Sequence, residues 1–216
     1  MFTLIGDIVG SRKLPDRASA QRTVGDALTR VNDAIDTVQL LEPTVGDEVQ
    51  GGFATIGDAA LATLLIRLEL SPGIDLRFGL GQGEVTVHDS ERTPLLQDGP
   101  GWWTAREAIG ELKGRHGTWY VRSPDEPGDA RTRARPQGTK DHRAPDPAAV
   151  NAFFLARDAL VATLNDRQHR MLLLSLKGKS QRAIAAVEGI SESAVSQAFT
   201  KGVRAARDAQ VTFGKA

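Results

Sequence analysis

The chain has 216 residues, 27 Lys+Arg against 27 Asp+Glu, 40% hydrophobic residues and no cysteine. That length suits one large domain or two modest ones, and the apolar content argues against wholesale disorder. Disulfides and thiolate zinc sites are excluded, and no apolar run is long enough to span a bilayer. The N-terminus M-F-T-L-I-G-D-I-V-G has an acid at position 7, against a signal peptide, so a cytoplasmic protein is expected.

In chain order, F-T-L-I-G-D-I-V is a short apolar run with β-branched residues and reads as a buried strand. Residues 17 to 37 carry Val24, Leu28, Val31 and Ile35 at helical spacing. V-Q-L-L-E-P-T-V and V-Q-G-G-F-A-T-I flank Gly46-Asp47 as a hairpin. Asp58 is positioned to cap a second helix that runs through Leu70, and D-L-R-F-G-L-G, residues 75 to 81, is a further strand. A helix over roughly Trp103 to Lys113 and a final strand, T-W-Y-V, complete the order βαββαβ with an added α and β. The expectation is an α+β fold with helices on one sheet face, spanning residues 1–121.

Residues 122–147 hold five prolines, two glycines and almost nothing apolar, which is the composition of a linker or long exposed loop. Arg131, Arg133 and Arg135 within it read as solvated charge. From residue 148 onward there are 10 Lys+Arg and 5 Asp+Glu, so this part carries +5 and the rest −5. A basic C-terminal region of that kind is suited to a polyanion. His88, His116, His142 and His169 show no metal-ligand spacing, and no Ser-His-Asp arrangement is identifiable.

Two acids stand at the ends of strands: Asp7, followed by I-V-G-S-R, and Asp47, in T-V-G-D-E-V-Q-G-G-F. In a split β-α-β sheet the first strand lies beside the hairpin, so Asp7 and Asp47 are expected to face each other. Facing carboxylates repel unless a cation neutralises them, and a hard ion such as Mg²⁺ takes carboxylate and carbonyl oxygens. Gly10-Ser11 and Gly51-Gly52 would let backbone approach a phosphate closely. Glu48, next to Asp47 on a strand, is expected on the opposite face. Arg77, alternating with Leu76 and Phe78, reads as a surface residue. Trp102 is a candidate for stacking on a purine, with Arg106 one turn away on the same helix face.

These segments resemble known families. L-I-G-D-I-V-G-S-R and T-V-G-D-E-V-Q-G-G-F look like the two metal-binding segments of class III nucleotide cyclases, and G-D-E also resembles the diguanylate cyclase signature. L-R-F-G-L-G-Q-G-E-V is similar to the strand that follows in the cyclases. The whole region also resembles the SatD family, which shares the three segments. The resemblance implies a ferredoxin-like palm, with Asp7, Asp47 and the carbonyl of Ile8 as ligands of Mg²⁺ or Mn²⁺. It implies a nucleotide near Gly10, Ser11, Trp102 and Arg106, with Arg106 as the transition-state arginine. Two positions depart from the cyclase pattern: Trp102 stands where the cyclases have Asn, and Pro43 where adenine-selecting ones have Lys. A nucleotide sensor or dimerisation module is therefore expected ahead of an active cyclase or nucleotidyltransferase.

Near the C-terminus, Ser180 caps a short helix carrying Ile184, Ala185 and Val187. Gly189 supplies a turn that needs positive φ, and Ser191 caps a second helix with Ala194, Val195 and Ala198 on its inner side. This is helix-turn-helix grammar, and it resembles region four of sigma factors. The resemblance places Glu192, Ser193, Ser196 and Gln197 at base edges, and Lys179, Arg182, Lys201 and Arg204 at phosphates. Residues 148–216 are thus expected to bind double-stranded DNA as part of a homodimeric transcriptional regulator.

Overall fold

A computed structural model describes residues 1–44, 46–89, 96–112, 116–123 and 145–215. Arg131, Arg133, Arg135 and His142 lie outside the described residues. Strand β1 (Phe2–Ile8) is followed by one 3₁₀ turn, Ser11–Lys13, and helix α1 (Arg17–Asn32). Then come β2 (Gln39–Pro43), β3 (Glu48–Phe53), α2 (Ile56–Leu70) and β4 (Leu76–Gln82). A two-stranded ribbon, β5 (Thr86–Asp89) and β6 (Leu96–Asp98), precedes α3 (Pro100–Glu111) and β7 (Thr118–Arg122). The expected βαββαβ order with an added helix and strand is present, in a five-stranded sheet of order β2-β3-β1-β4-β7. The first strand is central, with β3 and β4 antiparallel on either side, and β7 joins β4 in parallel.

Helices cover both faces of this sheet, not one. Leu4 and Ile8 of β1 join Val24, Leu28 and Val31 of α1 and Ala62, Leu65 and Ile66 of α2 in the main core. By strand alternation Thr3 and Ile5 point the other way, and Ile5 packs with Trp102, Ala105 and Ile109 of α3. Close approach of α3 depends on β4 presenting no side chains there. A methyl group at Gly79 would lie 2.2 Å from the Ala105 carbonyl oxygen, and one at Gly81 2.2 Å from that of Gly101. Thr3 seals the contact by donating to the Gly101 carbonyl at 2.6 Å.

Two element ends differ from expectation, each for a local reason. Helix α1 stops at Asn32 rather than 37. The Asn32 carboxamide turns to β2, donating to the Leu41 carbonyl at 3.0 Å and accepting from its N–H at 2.9 Å. Helix α2 is capped by Thr55, not Asp58: the Thr55 hydroxyl accepts from the Asp58 N–H and donates to its carboxylate.

The C-terminal region is all helical: α4 (Pro147–Ala162), α5 (Asp166–Leu176), α6 (Gln181–Glu188), α7 (Glu192–Ala198) and α8 (Arg204–Phe213). These helices rest on α2, whose sequence I-G-D-A-A-L-A-T-L-L-I-R-L-E-L is apolar nearly all round. Such a helix must be covered on every side. One side meets the sheet, while Leu64 and Leu68 join Val161, Leu172, Ile184 and Val195 in a second core. Asn151 of α4 repeats the device of Asn32 on the opposite edge strand, exchanging hydrogen bonds of 2.8 and 2.9 Å with the Tyr120 backbone.

Arg157 of α4 is fully enclosed at the junction. All five of its N–H donors are used. Nε donates to Asp158, Nη1 to the Ala60 carbonyl and Gln210, and Nη2 to the hydroxyls of Thr63 and Thr118. The rings of Phe153 and Phe154 lie 5.6 and 4.9 Å from the guanidinium carbon. Burial pulls the Arg157 pKa down, and the Asp158 carboxylate opposes that pull. Glu69 of α2 makes a second tie. Burial would raise its pKa, but Lys177 from the end of α5 and Arg30 of α1 hold it below the usual carboxylate value.

Arg157→Met leaves half-buried Asp158 beside unmatched acceptors and is expected to lower unfolding free energy by about 3–5 kcal/mol. Urea denaturation checks this; a loss below about 1 kcal/mol would contradict the assigned network. Alanine at two glycines should act in opposite directions. Gly25, in α1, has nothing within 4 Å of an added methyl, so Gly25→Ala should stabilise by about 0.5–1 kcal/mol. Gly79→Ala should destabilise by roughly 3 kcal/mol, because helix backbone stands in the way.

Candidate functional site

The acidic corner is built by ladder register. Asp7 of β1 stands directly across from Glu48 of β3 on one side and Arg77 of β4 on the other. Residues paired across a ladder point to the same face, here the α3 face. Asp47 lies one residue before β3, and its backbone carbonyl accepts from the Ile8 N–H at 3.3 Å. The acid paired with Asp7 across the ladder is therefore Glu48, while Asp47 stands in the turn just before the strand, with its charge felt at Arg77.

Each of the facing carboxylates holds a guanidinium by two hydrogen bonds. Arg77 donates to Asp7 through Nε at 2.6 Å and Nη2 at 2.7 Å, so the expected surface residue is an internal partner. Its Nη1 reaches the Leu112 carbonyl at 3.4 Å, at the C-terminal end of α3, where the helix dipole favours a cation. Arg106 of α3 donates to both oxygens of Glu48, at 2.5 and 2.9 Å. The Asp7 hydrogen bonds raise the Arg77 pKa, with a further contribution from the Asp47 charge; Glu48 does the same for Arg106.

The remaining expected site residues are placed as follows. Gly10 takes φ 69° at the start of the 3₁₀ turn that contains half-buried Ser11. Ile8 has its side chain in the core. Trp102 is buried against Ile5, and its indole N–H has no hydrogen-bond partner among the described residues, while Trp103 is an exposed indole and donates to Asp98 at 2.7 Å. The cavity at the hairpin turn, bounded by Ile8, Gln21, Gly46 and Asp47, measures about 50 Å³. That is water-sized, well below the volume of a typical ligand pocket.

A divalent cation does not fit the donor set as arranged. Both oxygens of Asp7 and both of Glu48 are engaged by arginine. Among the described residues no group of three or more His, Asp or Glu is placed to hold a metal.

The second candidate surface lies on the C-terminal helices. Ser180 caps α6 by accepting from the Ala183 N–H, and Ser191 caps α7 by accepting from that of Ala194. Gly189 takes φ 64° between them. Ile184, Ala185 and Val195 are buried at the crossing, whereas Val187 is 64% exposed. Glu188 fixes α6 against α5, its carboxylate accepting from Arg170 at 2.8 and 2.9 Å with Arg167 nearby.

All eight residues expected at DNA are exposed: Glu192, Ser193, Ser196 and Gln197 on α7, and Lys179, Arg182, Lys201 and Arg204 around it. None of these four cations makes an ion pair with a described residue. Lys179 and Arg204 share a cleft of about 450 Å³ with Ser180, Gln181 and Arg207, at the N-terminus of α6. Lys201 and Gln197 line a separate groove of about 210 Å³ with Asn165 and Arg167. After α7 the helix makes a π turn, Phe199–Val203, and bends at Gly202, whose φ is 123°.

Comparison with known families agrees with both halves. A model of the SatD family matches residues 1–122, and a model of sigma-70, region 4 matches residues 156–205. The first match spans more than half of the chain, which therefore belongs to the SatD family. The second makes the C-terminal helices a helix-turn-helix of the region-four type. No curated protein matches the chain. Among the described residues no helix is long and apolar enough to cross a membrane.

Sequence reasoning passed over Glu48 and Arg77 as site residues and did not single out Arg157. The available signals were the i, i+2 glycines at 79, 81 and 83, which mark the face α3 occupies, and the charged Arg157–Asp158 pair in an apolar helix.

Glu188 makes the helix-turn-helix sensitive to acid. Hydrogen bonds from Arg170 hold its carboxyl below the usual value of 4.5. A lowered folded pKa contributes stability above the unfolded value, and that contribution is lost as pH falls through the folded one. The melting temperature of Glu188→Gln should therefore lie below that of the unmodified protein near neutral pH. The gap should close as both are titrated below the unfolded carboxyl range, and a gap independent of pH would contradict this role.

Proposed function

We propose that the protein is a DNA-binding transcriptional regulator whose C-terminal helix-turn-helix reads duplex DNA and whose sheet region sets how that module is presented. The observation that carries this reading is the exposure of the polar side chains of α7 together with Lys179, Arg182, Lys201 and Arg204, cations that pair with no described residue, in a segment matched by sigma-70 region 4. Short polar side chains at the start of α7 suit base edges, and the surrounding cations suit backbone phosphates. The sheet region leaves the outer face of α7 exposed: it meets the helices through α2, on the side of Leu172 and Ile184, and through β7 at Thr118 and Tyr120. Two copies on a two-fold DNA site is the arrangement this reading expects.

The finer expectation, a nucleotide with Mg²⁺ or Mn²⁺ at Asp7, Ile8 and Asp47, forms no part of the proposal. The arginine pairing of Asp7 and Glu48 weighs against it, and so does the small cavity beside Asp47.

Fluorescence anisotropy on duplexes selected from a random pool tests the reading. Arg204→Ala should weaken binding uniformly across sequences and reduce the slope of log K against log salt by about 1. Gln197→Ala should leave that slope unchanged and alter sequence preference. Absence of duplex binding at low salt would refute the proposal.

A further inference from the structure

We infer that Arg77 and Arg106 are the resident cations of the acidic corner: Asp7 and Glu48 are arginine partners rather than metal ligands, and the SatD-type region folds without a divalent ion. The inference is independent of the DNA reading.

Three observations carry it. First, Glu48, Asp7 and Arg77 form one row across β3, β1 and β4, so cation and anions are brought together by the same ladder that makes the sheet. No further folding step is needed to neutralise Asp7. Second, every carboxylate oxygen of Asp7 and Glu48 accepts from a guanidinium, at 2.5 to 2.9 Å. A planar guanidinium facing a carboxylate through two parallel hydrogen bonds is among the stronger ion-pair geometries. Third, the two arginines fasten α3 to the sheet at separate points. Arg106 runs from α3 to β3, while Arg77 runs from β4 to Asp7 and to the Leu112 carbonyl at the end of α3. A metal entering at Asp7 would have to break that second attachment.

The two alternatives differ in the sign of a simple experiment. In a metal site made of carboxylates, removing one negative charge relieves repulsion, so an Asp→Asn change stabilises the metal-free protein. In an arginine-paired corner the same change removes an attraction and leaves a guanidinium half satisfied.

Thermal unfolding of the full chain in EDTA, and again in millimolar Mg²⁺ or Mn²⁺, reads this directly. Asp7→Asn is expected to lower the melting temperature in EDTA by about 4 °C or more. Glu48→Gln should shift it in the same direction by less, since Arg106 is 56% exposed and its pairing is partly screened by water. The unmodified chain should show no shift with either ion, with or without a nucleoside triphosphate. Arg77→Met leaves Asp7, Asp47 and Glu48 short of positive charge; it should melt earlier in EDTA and recover part of the loss in Mn²⁺. A rise in melting temperature on Asp7→Asn in EDTA, or stabilisation of the unmodified chain by Mn²⁺ or Mg²⁺, would overturn the inference.

Discussion

A guanidinium enclosed on all sides holds the two halves of this molecule together. Arg157 sits between α4 and α2, and its five donors are shared among a carbonyl of α2, threonines of α2 and β7, a glutamine of α8 and the neighbouring Asp158. A charge placed there without partners would be prohibitive; with each donor matched it specifies one arrangement of four elements. Asp158 extends the pattern by accepting from the Thr118 N–H and lying 3.6 Å from Arg67, which in turn pairs with Asp75 at the entrance to β4. Alternating charges thus run from the helical region to within two residues of Arg77.

This arrangement explains why α2 has no polar face. It is the shared wall of two cores, one with the sheet and one with the helix-turn-helix. Any movement of the DNA-binding helices relative to the sheet must shear against Leu64 and Leu68 and disturb the Glu69–Lys177 pair.

Much of the fold was legible in the sequence because local chemistry and tertiary structure agree. An apolar run marked β1, alternation marked β4 and helical spacing marked α1, and the caps at Ser180 and Ser191 and the turn at Gly189 fall where the residue types require. The second sheet face was not legible, because the evidence for α3 lying there is an absence of side chains at Gly79 and Gly81. The acidic corner was half legible. Two acids at strand ends were visible, but which one faces Asp7 depends on a one-residue register, and the arginine on the next strand comes from 70 residues away. Arg157 was hidden for a related reason: its acceptors come from four separate elements, and no local pattern links them.

Asn32 and Asn151 each lend a side-chain amide to an outermost strand, at Leu41 and Tyr120. In doing so each imitates one link of a neighbouring strand, occupying the donor and acceptor that an incoming chain would need. The sheet is stoppered at both ends. Self-association by strand exchange, or by adding a peptide to the rim, is closed off at those two positions.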